Sequence, residues 1–125
     1  MQIAPPDLHL ARHARVRDGL RAASLDALLV TSLPNIAYLT GLFASAGALV
    51  LSADRAALIV DGRYLPTAHA RAAELPQLDV VHVPASSSQD ECIAAIARTF
   101  ANGRLGVEAA HMSVKQHVAL NARLA

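Results

Sequence analysis

From Ala27 to Ala53 the chain runs for 27 residues without a single charge. A stretch this long and this neutral must be kept from water, either in a bilayer or inside a protein core. Its content decides between the two. Thr31, Ser32, Pro34, Asn35, Thr40, Gly41, Ser45, Gly47 and Ser52 make a third of it polar or helix-breaking. In a membrane-spanning helix those groups would be costly in lipid. Two buried strands with a short helix between them account for it better. Ala27-Leu28-Leu29-Val30 is the continuous apolar run of a strand covered on both faces. Ser32-Leu33-Pro34 reads as an N-cap followed by a first-turn proline and Gly41 as a stop, which predicts a helix over Leu33–Leu39. Gly47 to Ser52 is the next strand.

The flanking segments supply the rest of a layered domain. Asp7, after Pro5-Pro6, is the expected N-cap of a helix reaching Ala23, with Leu8, Val16, Leu20 and Ala23 within one arc of its surface. Ala56 to Val60 is an apolar run joined to the preceding strand by Ala53-Asp54-Arg55 alone, and a connection that short makes an antiparallel hairpin. Asp61-Gly62 ends that strand, and a helix follows with Pro66 in its first turn. Leu78 to Val83 is a fourth strand, closed by Pro84. Ser88-Gln89-Asp90-Glu91 is a capping box, and Ile93, Ile96, Ala97 and Phe100 then recur at helical spacing until Asn102-Gly103. Leu105-Gly106-Val107 is a short fifth strand. A second capping box, Ser113-Val114-Lys115-Gln116, opens a helix carrying Val118, Leu120 and Leu124. That helix reaches Ala125 without a stop signal, which reads as a cut between domains. The order α-β-α-β-β-α-β-α-β-α predicts a three-layer α/β/α domain with helices on both faces of a mixed sheet.

Composition narrows the function classes. With 125 residues the chain fits one domain. Lys+Arg 11 against Asp+Glu 10 leaves a net charge of +1, so nothing electrostatic points to nucleic acid, a membrane surface or an acidic partner. One Cys allows no internal disulfide and no Cys pair for a metal. Met1 to Pro6 lacks the basic start and apolar run of a signal peptide, so the expected protein is soluble and cytoplasmic.

No catalytic set can be assembled from the residues. His9 and His13 stand four apart on the first helix, but Leu10 occupies the place where a zincin motif needs Glu, and the pair reads as exposed bystanders. Ser45-Ala46-Gly47 lacks the Gly-x-Ser-x-Gly of a nucleophile turn. Gly41 and Gly47 belong to no phosphate loop. Cys92 has no recognisable His partner. A ribonuclease H-type nuclease needs clustered carboxylates, and the first strand has none. Two groups remain for a functional reading. Asn35 and Tyr38, at i and i+3 of the short helix, either face one groove or serve as a turn-forming Asn and a half-buried Tyr. Asp61-Gly62-Arg63-Tyr64 lies where a strand gives way to a helix, with Asp61 either functional, paired to Arg63, or capping the helix.

The run Thr31-Ser32-Leu33-Pro34-Asn35-Ile36-Ala37-Tyr38-Leu39-Thr40-Gly41, taken with Ser45-Ala46-Gly47, the strand pair and Asp61-Gly62-Arg63-Tyr64, resembles the N-terminal domain of the creatinase/prolidase family. The resemblance extends from the arginine-rich first helix through Leu105-Gly106-Val107-Glu108 to His111-Met112-Ser113. It implies a ribonuclease H-like five-stranded sheet of order 3-2-1-4-5 with strand 2 antiparallel. It also implies that residues 1–125 precede a "pita-bread" catalytic domain, absent from this chain, which holds two divalent metal ions (Mn, Co or Zn) and hydrolyses the bond before proline in short peptides. The chain itself is then expected to hold no catalytic or metal-binding residue. Its partners are its own catalytic domain and a second subunit, in a homodimer or homotetramer, whose active site it gates. By that analogy Asn35, Tyr38, Phe43, Arg63 and Tyr64 are candidates for the subunit interface or pocket rim, with Asp61, Gly41 and Gly47 as structural motif positions. The alternatives are a free-standing α/β dimerisation or small-ligand module, and the N-terminal domain of a creatinase-type amidinohydrolase.

Overall fold

The computed structural model describes residues 3–125; Met1 and Gln2, at the start of the segment read for a leader, lie outside the described residues. The elements run α1 (Pro6–Ala23), β1 (Ala27–Val30), α2 (Leu33–Thr40), β2 (Ala48–Ser52), β3 (Ala56–Asp61), a 3-10 turn (Gly62–Tyr64), α3 (Leu65–Glu74), β4 (Leu78–Val83), α4 (Gln89–Phe100), β5 (Leu105–Val107) and α5 (Val114–Leu124). The charge-free stretch thus becomes β1, α2 and β2. Among the described residues no helix is long and apolar enough to cross a membrane.

One mixed sheet of order β4-β3-β2-β1-β5 organises the domain. β2 is its central strand, buried at all five positions, and runs antiparallel to both neighbours. The neutral stretch is neutral because it supplies that centre, where water reaches neither face. The expected succession 3-2-1 is present, with strand 2 antiparallel. The difference lies in β4, which pairs in parallel with β3 instead of standing between β1 and β5. A short crossover through α3 reaches the free edge of β3 first, and consecutive strands tend to be neighbours. α4 then returns across the sheet, and β5 pairs in parallel with β1.

Alternation along the strands divides the core in two. Val30, Leu49, Leu51, Leu58 and Val60 face α1, α2 and α3 and pack with Ile36, Leu39 and Ala68. Ala27, Leu29, Val50, Ala57 and Ile59 face α4 and α5 and pack with Ile93, Phe100 and Leu120. At about 25 cal/mol per Å² of apolar surface removed from water, these two layers hold the sheet together.

The helix ends depart from expectation in instructive ways. α1 starts at Pro6 after Pro5, with Asp7 in its first turn and not at the N-cap. Its buried positions include His9 and His13, both 1% exposed, while Leu8 is exposed. The two histidines are therefore core residues and not the exposed pair that their spacing suggests. Ser32 stands at the N-cap of α2, yet its side chain makes no capping bond. α5 has the complete reciprocal capping box between Ser113 and Gln116; at α4 the Ser88 hydroxyl accepts from Glu91 N.

Candidate functional site

The N-terminus of α2 is capped from across the sheet. Glu108, the residue after β5, accepts from Thr31 N at 2.6 Å and Ser32 N at 2.9 Å through one carboxylate oxygen, and from Asn35 Nδ2 at 2.6 Å through the other. A negative charge on free backbone N–H groups at a helix start is favourable twice over, through hydrogen bonding and through the helix dipole. Burial pushes the Glu108 carboxyl up, but the bonds from Asn35, Ser32 and Thr31 outweigh it, so its pKa lies below the ordinary value. This acceptor takes the place that the Ser32 side chain leaves vacant. β1 and β5 are parallel neighbours whose following helices lie on opposite faces of the sheet. That is the switch point at which α/β folds commonly bind anions, and here the chain's own carboxylate fills it.

The C-terminus of α2 is held from α1. His9 Nδ1 donates to Tyr38 O at 3.0 Å, Arg12 Nη1 donates to the same carbonyl at 2.7 Å, and His13 Nε2 donates to Leu39 O at 2.6 Å. These carbonyls belong to the last turn and have no intrahelical partner. Because a carbonyl only accepts, His9 carries its proton on Nδ1 and His13 carries one on Nε2. Burial lowers the His13 pKa, partly offset by the bond to Leu39. Gly41 ends α2 at φ +78°, where a Cβ would stand 2.7 Å from Ile3 Cγ2 and 3.2 Å from both Arg71 Nη1 and His9 Nε2. Only a residue without a side chain fits that approach.

Between α1, α2 and the loop before β2 lies a groove of about 800 Å³. Tyr38, Phe43 and Tyr64 are its aromatic lining, and Tyr38 and Phe43 remain 48% and 40% exposed. The Arg12 guanidinium carbon sits 3.8 Å from the Tyr38 ring centroid. Tyr64 reaches from the 3-10 turn to the loop: its hydroxyl accepts from Ser45 N at 3.1 Å and shares a 2.6 Å bond with Ser45 Oγ. Those bonds lower the Tyr64 pKa.

The expected site residues therefore separate. Tyr38, Phe43 and Tyr64 come together, with Gly41 on the groove floor. Asn35 does not line the groove and is committed to Glu108. Arg63 is bidentate to Asp61, at 3.0 and 2.9 Å, with its guanidinium carbon 5.1 Å from the Tyr64 centroid. Asp61 also accepts from Arg63 N at 2.9 Å, and the Arg63 bonds hold its pKa down. Pairing and capping thus both hold for Asp61. Gly47 lies at a second crevice between α4 and α5, where its carbonyl accepts from Gln89 Nε2 at 3.4 Å. Glu108, His9, Arg12 and His13 were missed by sequence reasoning as site builders. A buried i, i+4 histidine pair on an arginine-rich helix was the available signal; Glu108 had none, since its partners lie more than 70 positions away. Among the described residues no group of three or more His, Cys, Asp or Glu is placed to hold a metal ion.

Comparison with known proteins matches this architecture. The model of the creatinase/prolidase N-terminal domain matches residues 12–125. A Bacillus subtilis (strain 168) protein called "Uncharacterized peptidase YqhT" is 42% identical over 50 residues, which make up 40% of this chain and 14% of that protein. The N-terminal domain of the cytoplasmic peptidase PepQ from Mycobacterium tuberculosis H37Rv is 32% identical, with a TM-score of 0.74, over 91% of this chain and 85% of that one. An Xaa-Pro dipeptidase from Bacillus anthracis shares the fold, with a TM-score of 0.79 at 19% identity, over 93% of this chain but 31% of its own. The chain thus spans about a third of that dipeptidase.

Proposed function

The chain belongs to the creatinase/prolidase N-terminal domain family, and from that membership we propose that it is the non-catalytic N-terminal domain of a metallopeptidase cleaving the bond before proline. In this reading a catalytic domain follows residue 125, and this domain docks on it and on a second subunit, narrowing access to the active site. Two divalent metal ions (Mn, Co or Zn) would polarise the scissile carbonyl and activate water in that catalytic domain. Among the described residues no donor set fits a metal, and in this reading the domain takes no part in the bond-breaking step. The reading carries a cytoplasmic location, in keeping with the name of the M. tuberculosis relative.

The observation that carries the proposal is the cluster of Tyr38, Phe43 and Tyr64. Large aromatic side chains left half-exposed around one groove are characteristic of a contact surface, and α2 is fixed at both ends beneath them. Arg63, 5.1 Å from the Tyr64 ring centroid, is assigned to the rim of the same contact, whereas Asn35 is held on Glu108 outside it. Two measurements test the proposal. The purified 125-residue chain with added Mn²⁺ or Co²⁺ is expected to leave an Xaa-Pro dipeptide intact, and turnover would overturn the reading. Light scattering is expected to show self-association, or association with the separately produced catalytic domain, that Phe43→Ala weakens; a strictly monomeric chain indifferent to that domain would also overturn it.

A further inference from the structure

The groove beside α2 holds a charge that the described residues do not answer. His9 and Arg12 line it, and among the described residues they carry the two buried side-chain polar atoms without a hydrogen-bond partner, His9 Nε2 and Arg12 Nε. Arg12 commits Nη1 to the Tyr38 carbonyl. The edge that remains is Nε with Nη2, the pair of parallel N–H groups that grips a carboxylate in bidentate fashion; Nε is closed to water in the free chain, so a carboxylate takes both groups with a shift of the Arg12 side chain. No lining residue of the groove is acidic. The ion pairs among the described residues are Arg21–Asp18, Arg63–Asp61 and Arg71–Glu74, none of which involves Arg12. A half-buried guanidinium without a counter-charge, bordered by exposed aromatic rings, calls for an anion attached to an apolar body.

We propose that this groove is the docking site for a polypeptide segment presenting an Asp or Glu side chain next to an apolar one, with the carboxylate on Arg12 and the apolar group against Tyr38 and Phe43. Charge complementarity selects the occupant: a neutral apolar segment would cover the rings and leave Arg12 more deeply buried and still unpaired, which is unfavourable. A bidentate carboxylate supplies the acceptor that Nε lacks. The inference deepens the contact proposed above and rests on that reading for the existence of a partner polypeptide. It adds the chemistry by which the partner is chosen.

The test uses capped peptides and the ¹⁵N-labelled 125-residue chain, following the Arg12 Nε–H resonance and the Tyr38 and Phe43 ring signals. Acetyl-Ala-Glu-Leu-Ala-amide is expected to shift all three and to bind at least about tenfold more tightly than its Gln counterpart, the difference a charge-assisted bond supplies. Arg12→Lys, checked for folding by its amide spectrum, is expected to lose most of that preference, because an ammonium cannot form the fork. Phe43→Ala is expected to weaken the Glu and Gln peptides alike. Equal binding of the two peptides, or shifts confined to residues outside the groove, would overturn the proposal. So would tighter binding of acetyl-Ala-Gln-Leu-Ala as the free acid than of the Glu amide, since the groove would then select chain termini. Each of these results leaves the wider functional reading standing, because that reading fails on peptide turnover or on the absence of association.

Discussion

Glu108 answers four donors with two oxygens, the Thr31 hydroxyl at 3.5 Å being the longest, and two of those donors are backbone N–H groups that have no alternative partner among the described residues. Removing the charge leaves them poorly matched, because a Gln side chain places an NH₂ group where Asn35 already offers one. Glu108→Gln is expected to cost about 1–2 kcal/mol at neutral pH. The pH dependence has a definite sign. The folded pKa is depressed, so the stabilisation is complete above the ordinary value of 4.5 and is lost as pH falls through the folded value. Urea unfolding at pH 7 and at successively lower pH checks this: wild type and Glu108→Gln should differ at pH 7, and the difference should shrink as the pH falls below 4.5. Asn35 shows why a residue pattern alone left two readings open. Its spacing to Tyr38 is helical, and the choice between groove and cap depends on an acceptor 73 positions away.

At the scale of the element, α4 and α5 show which signals are local and α1 shows which are not. Ser88 and Ser113 cap their own helices within three residues, and both were legible because donor and acceptor are encoded side by side. β4 was legible to the residue from its apolar run and the proline that follows. The inward stripe of α1 was not, because it contains His9 and His13, polar residues that become core residues only when α2 brings the carbonyls of Tyr38 and Leu39 over them. Gly41 is the hinge of that arrangement, combining a left-handed φ with contact too close for a Cβ. Gly41→Ala is expected to lower stability by about 1–3 kcal/mol, from the backbone strain together with displacement of Ile3. Thermal denaturation measures it, and a loss below about 0.5 kcal/mol would mean that the turn relaxes without strain.

Across the whole molecule, the two faces of the sheet are not equally finished. One is covered by three helices, whereas α5 reaches the other through Leu120, its single buried residue, with Leu124 packed alongside. Val114 and Val118 of the same helix are 80% and 60% exposed. Leu120→Ala is therefore expected to cost about 2–3 kcal/mol and to raise amide exchange throughout α5, while Val118→Asp stays within about 0.5 kcal/mol. Equal effects would show that the helix packs differently. Which edge β4 joins was the part of the topology least readable from the chain. Both edges present strands of suitable length, and only the reach of the α3 crossover chooses between them.

The carboxylate that closes α2 has a further consequence in time. Residues 33–40 are made early, but the acceptor for the first turn of their helix arrives only with residue 108, after four more strands and two helices have been synthesised. A nascent chain released before that point holds a complete central hairpin and an unfinished helix beside it. Closing that cap requires bringing together segments 77 residues apart, a contact whose entropy must be met before it gives anything back. The residue that follows the last strand therefore completes the first turn of the second helix, and truncation anywhere before it leaves that turn without its acceptor.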